Sequence, residues 1–189
     1  MRRRLAALAR VCVALTGCGA PDPVPSGPPG SGTTPPATAA VAIQPLTGKG
    51  IGPYVVGADL DALTAAGALT NVKTTAGCPD FTTADATGPY FGTVTIVFFK
   101  KRIDWITITS PIASTVDGVR VGMKLSAVKG VYGAKANQLS DGQGGPALGV
   151  RDGAGTGLLF RGAPDGTVGT IDAGTYDTLE FRFIEGEGC

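Results

Sequence analysis

Two stretches of the chain carry the same spacing of apolar residues. Tyr54-Val55-Val56-Gly57-Ala58-Asp59-Leu60-Asp61-Ala62-Leu63-Thr64-Ala65-Ala66-Gly67 is echoed by Val119-Arg120-Val121-Gly122-Met123-Lys124-Leu125-Ser126-Ala127-Val128-Lys129-Gly130-Val131-Tyr132-Gly133, with Gly122 standing 65 residues after Gly57. In each stretch a Val-Gly step leads into apolar residues three apart, Leu60 and Leu63 or Leu125 and Val128, before a glycine suited to end a helix. Asp59 is a good N-cap for the first helix, whereas Lys124 at the matching place is a poor one. Helices this short are not stable alone and need a sheet to lie on.

Strand signals follow each helix. Phe91 to Phe99 is rich in Val, Ile, Thr and Phe, Lys100-Lys101-Arg102 predicts a turn, and Ile103 to Ser110 the returning strand, ended by Pro111. The plan recurs as Gly157 to Arg161, a turn at Ala163-Pro164-Asp165-Gly166, and Thr167 to Ile171. Leu179, Phe181 and Phe183 alternate with Glu180, Arg182 and Ile184, which predicts a last strand running into Cys189. Weaker strands are expected near Val72, Phe81 and Val150. The expected fold class is α+β, with two tandem helix-plus-antiparallel-sheet repeats, about 50–112 and 113–189, forming one domain over 41–189.

The front of the chain is different. Met1-Arg2-Arg3-Arg4, an apolar run through Val11, Val13, Ala14 and Leu15 interrupted only by Arg10, and Leu15-Thr16-Gly17-Cys18 together resemble the signal peptide and lipobox of bacterial lipoproteins. That resemblance implies that residues 1–17 are removed and that Cys18 takes diacylglycerol, leaving the protein lipid-anchored on the extracytoplasmic face of a membrane. An ordinary secretory signal cut near Ala20 is the alternative. The apolar run is too short to cross a bilayer as a helix. Residues 18–40, dominated by Pro, Gly, Ser and Thr, contain almost nothing to bury and are expected to be a disordered tether. Its irregularly spaced prolines make a ligand for a Pro-binding domain the lesser reading.

Removing the four arginines of the leader leaves 12 basic against 15 acidic residues, which argues against a nucleic-acid binder. Of the four cysteines, Cys12 leaves with the leader and Cys18 is consumed by lipid. Cys78 and Cys189 remain as an even pair in an oxidising setting and are expected to form a disulfide. Two thiolates in a chain without histidine make a poor metal set, so no metal and no cofactor is expected.

The run Val119 to Val128 followed by Tyr132-Gly133 resembles the glycine, methionine and helix signature of the BamE (SmpA) small lipoproteins and of the β-lactamase inhibitor protein. The first stretch departs from it, with Ala58 where the second has Met123. The resemblance implies tandem copies packing helices on a curved antiparallel sheet, and a binding role. It carries over no individual binding residue.

Without histidine there is no Ser-His-Asp or Cys-His arrangement and no HExxH. Asp59 with Asp61, and Asp172 with Asp177, are the nearest carboxylate pairs for acid–base work, but scattered surface acids read as caps and solvated charges. Gly153-Ala154-Gly155-Thr156-Gly157 imitates a phosphate loop, yet a strand follows it where a helix would be needed. Trp105 shares a strand face with Ile103, Thr107 and Thr109, opposite Ile106 and Ile108. Either Trp105 is core, or Trp105, Thr107 and Thr109 form a recognition surface on the open face of the sheet. Lys100-Lys101-Arg102 is a solvated turn or a contact for anionic polymer or lipid. The expected function is that of a non-catalytic binding or envelope-accessory lipoprotein with an envelope protein as partner. A carrier of a small apolar ligand and a carboxylate-based envelope enzyme are the alternatives.

Overall fold

Both helical signals form helices. The computed structural model of the chain describes residues 42–143, 145–153 and 155–186, so the expected leader, Cys18, the expected 18–40 tether and Cys189 lie outside the described residues. A small ribbon of β1 (Gly50–Ile51) and β2 (Tyr54–Val55) precedes α1 (Leu60–Ala65). Asp59 caps α1 by accepting the Ala62 N–H at 3.1 Å, a bond of the kind that contributes about 1 kcal/mol. At α2 (Leu125–Tyr132) the residue in that position, Lys124, makes no side-chain cap bond. Its ammonium instead donates to the Asp165 carbonyl at 2.9 Å. Leu63 and Val128 are the residues each helix buries.

Eight strands form one antiparallel sheet: β3 (Leu69–Thr75), β4 (Cys78–Ala86), β5 (Val94–Phe99), β6 (Arg102–Ile108), β7 (Ala136–Ser140), β8 (Pro146–Arg151), β9 (Thr156–Gly162) and β10 (Val168–Thr175). Their spatial order is β3-β4-β5-β6-β10-β9-β8-β7. Thus α1 is followed by the meander β3 to β6 and α2 by the meander β7 to β10, and the two meanders meet through their last strands.

Several backbone contacts recur at the spacing of the helical signals. The Gly57 N–H donates to Ile103 C=O and the Gly122 N–H to Val168 C=O, both at 2.8 Å. Leu60 N–H donates to Lys101 C=O at 2.9 Å and Leu125 N–H to Gly166 C=O at 3.1 Å. The bridges Asp59 to Arg102 and Lys124 to Thr167 match in the same way. Gly57 and Gly122 both adopt the left-handed region, at φ 83° and 88°, which explains why glycine precedes each of the two helices.

The sheet has two covered faces. On one, Ile96, Phe98, Ile103, Ile106, Ile108, Phe160 and Ile171 pack with Leu63 and Val128 into the main core. On the other, Phe81, Val97, Trp105, Ala147 and Leu159 pack with Leu179 and Phe183.

Two expectations are corrected here. The segment Leu179 to Ile184, expected as a strand, lies within the helix α3 (Tyr176–Glu185). Leu179 and Phe183 share a face in either conformation, but Tyr176, Leu179 and Phe183 are the buried residues. That spacing is helical, and it leaves Phe181, which alternation would bury, 65% exposed. Strict alternation also fails in β6. Val97 pairs with Trp105 but Phe98 with Ile103, so a bulge sits between. Ile103 thereby joins Ile106 and Ile108 in the main core, while Asp104 accompanies Trp105 on the α3 side.

Candidate functional site

The bulge in β6 and the exposed side of α3 together make a groove. Phe81 on β4, Phe99 at the end of β5 and Asp104 on β6 form one wall, and Phe181, Arg182 and Glu185 of α3 the other, around a volume of about 720 Å³. The Phe81 and Phe99 rings lie 4.9 Å apart between centroids. The Arg182 guanidinium stands over two aromatic faces, 4.4 Å from the Phe81 centroid and 4.7 Å from that of Trp105, an arrangement that both holds the cation and shields the rings. Burial pushes the Asp104 carboxyl above its usual range, and the charge of Arg182 opposes that shift.

Trp105 forms the support beneath this groove. It lies on the face opposite Ile106 and Ile108, as alternation implies, but α3 covers that face and leaves Trp105 7% exposed. Trp105, Thr107 and Thr109 therefore do not make the open patch considered above. Thr107 is half-buried in a polar row that crosses four strands, Asp85, Thr95, Thr107 and Asp172. In that row Thr95 donates to Asp85 at 3.4 Å, and Thr107 to Asp172 at 2.6 Å. Thr109 is exposed just beyond the end of β6.

The nominated carboxylates are engaged separately. Asp59 caps α1, Asp61 pairs with Lys101 at 2.9 Å, Asp172 accepts from Arg161 Nε at 2.6 Å, and Asp177 pairs with Arg151 at 2.5 Å. The Lys100-Lys101-Arg102 turn is likewise occupied within the domain. Lys100 lies over the Phe99 ring at 5.1 Å, Lys101 holds Asp61, and Arg102 stands 3.8 Å from Asp59. The glycine-rich residues after β8 lead into strand β9, as a hairpin connection does. Among the described residues no cluster of three or more histidine, cysteine or acidic side chains is placed to hold a metal ion. No helix there is long and apolar enough to cross a membrane.

Cys78, at the start of β4, is disulfide-bonded and packs against the Phe81 cluster. Its expected partner, Cys189, lies outside the described residues.

The groove residues Phe99, Asp104, Phe181 and Arg182 are not visible as a set in the sequence. Asp104 reaches it only through the bulge, and Phe181 and Arg182 only because α3 is a helix. The spacing of Tyr176, Leu179 and Phe183 is the one local signal that points to it. No protein-family model, curated protein or solved structure matches the chain.

Proposed function

We propose that this chain is a lipid-anchored extracytoplasmic binding protein, non-catalytic, built from two tandem helix-plus-meander units, with the groove beside α3 as its recognition site for an envelope protein. The single observation that carries the recognition site is the exposure of Phe181 and Phe99, 65% and 38%, on opposite walls of a groove that Phe81 also lines. Aromatics held in place on rigid elements and left open to solvent are the anchors that binding surfaces use. The separate engagement of the nominated carboxylates supports a role without chemistry. The recurrence of the same hydrogen bonds at one spacing supports the duplication, and with it the resemblance to the BamE and β-lactamase inhibitor protein plan. The lipobox-like Leu15 to Cys18 supports the anchor.

A photo-reactive residue at position 181, in cells, tests the reading. A discrete protein adduct, weakened by Phe99→Ala while thermal stability is kept, is the expected result. A protein that cross-links equally from position 72, on the exposed part of β3, overturns it.

A small apolar ligand is the second reading, favoured by a groove volume within the range of small-molecule sites. Under that reading position 181 yields no protein adduct, and native mass analysis finds an extractable bound molecule.

A further inference from the structure

We infer that one end of the domain docks on the lipid surface from which the protein is tethered, and this rests on the anchored reading above. Three segments meet at that end. Thr109 N–H donates to Thr93 C=O at 3.3 Å, which sets the 87–93 loop beside the one after β6. Leu46 N–H donates to Ser114 C=O at 2.8 Å and Val116 N–H to Leu46 C=O at 3.1 Å, which draws in the first described residues. Gln44 N–H reaches the Tyr90 hydroxyl at 3.5 Å and completes the set.

The only charge within these three segments near this end is Asp117, exposed directly after Val116. No Asp, Glu, Lys or Arg occurs between Asp22 and Lys49, between Asp85 and Lys100, or between Asp104 and Asp117. The large apolar side chains left open there are Phe91, 63% exposed, Ile112, 70%, and Val116, 62%; Pro45, Pro89 and Pro111 are exposed beside them, and Gln44, Thr109 and Asp117 are the exposed polar side chains. Elsewhere in the domain charged residues are frequent, so the end is a patch and not an average piece of surface.

The occupant follows from the chain path. The segment that would carry the lipid enters the described domain at Ala42, directly before Gln44 and Leu46. The expected tether, residues 18–40, is long enough to let the domain lie against the bilayer. It also holds the domain there at an effective concentration on the order of millimolar. A contact of a few apolar side chains then suffices, as it does for interfacial segments whose apolar face sinks to the headgroup and acyl boundary. Absence of basic residues at the end makes the contact independent of anionic lipid.

The test uses the full chain with Cys18, carried into phosphatidylcholine vesicles with brominated acyl chains. Phe91→Trp places a fluorophore at the patch, and the wild-type chain, whose Trp105 is covered by α3, is the reference. Quenching of Phe91→Trp about twofold or more above the reference, lost on Ile112→Asp with Val116→Asp, is the expected result. Quenching that survives those two substitutions comes from tether proximity alone and overturns the docking. An acylated Cys18 with no quenching also overturns docking while the anchor stands, whatever other protein covers the patch. Quenching in a chain without acyl label overturns the anchor and leaves the docking. Neither label nor quenching overturns both.

Discussion

The Thr107 hydroxyl and the Asp172 carboxylate meet across the junction of β6 and β10 at 2.6 Å, and they are 65 residues apart, the spacing of the two helical signals. Arg161 Nε donates to the other carboxylate oxygen at 2.6 Å, and the Asp172 side chain is 1% exposed. Asp172→Ala leaves the guanidinium without this counter-charge and is expected to cost about 3 kcal/mol, the lower end for a broken buried pair because Arg161 keeps some solvent. Thr107→Val removes a single charged hydrogen bond and is expected to cost about 1.5 kcal/mol. Urea unfolding should show lower midpoints at unchanged slope, in that order. Equal midpoints for Asp172→Ala and wild type would remove this contact from the account of stability.

Trp105→Ala is expected to cost about 3 to 5 kcal/mol of folding stability, as truncation of a buried aromatic does. The loss should exceed that of Phe181→Ala on thermal unfolding, because Phe181 is exposed. The reverse order would mean that Trp105 is not the support of the groove.

Reduction of the Cys78 disulfide should lower the melting temperature. With Cys189 as partner the closed loop is long, and the chain-entropy contribution is about 4 to 5 kcal/mol. Peptide mapping without reduction should recover Cys78 and Cys189 in one linked pair, and a free Cys189 thiol would rule that pairing out.

Asp104 gives a pH dependence of known sign. Its folded-state pKa is raised above the ordinary 3.8, so the folded state binds more protons than the unfolded one above that pH. Its contribution is therefore full below the unfolded pKa and is lost as pH rises through the folded one. Asp104→Asn should abolish that loss. Melting temperatures of the two proteins across the acid range should converge at low pH and separate, with the variant higher, as pH rises; a separation growing towards low pH would refute the assignment.

Local features were legible where a single residue pattern decided them. Helices α1 and α2 followed from apolar residues three apart between a Val-Gly step and a closing glycine, and β5 with β6 from β-branched runs around Lys100-Lys101. Helix α3 was not legible because Leu179 and Phe183 satisfy both periods, and Tyr176, which decides between them, precedes the segment. Strand β7 turns only Ala136 and Leu139 inward, too few apolar residues to mark a strand in the sequence. The face of Trp105 was legible, but what lies over it was not, since a helix from the other end of the chain covers that strand.

The junction of β6 and β10 also bears on how the molecule assembles. Each meander pairs strands joined by short connections, so its loops close early and at small entropic cost. The junction pairs Ile108 with Ile171 and Trp105 with Gly174 across most of the second half of the chain. At Gly174 a Cβ would stand 2.8 Å from both the Asp104 carbonyl and the Trp105 Cβ, so the two halves close only where one of them has no side chain. Any side chain at position 174 would therefore wedge the seam between the two meanders apart.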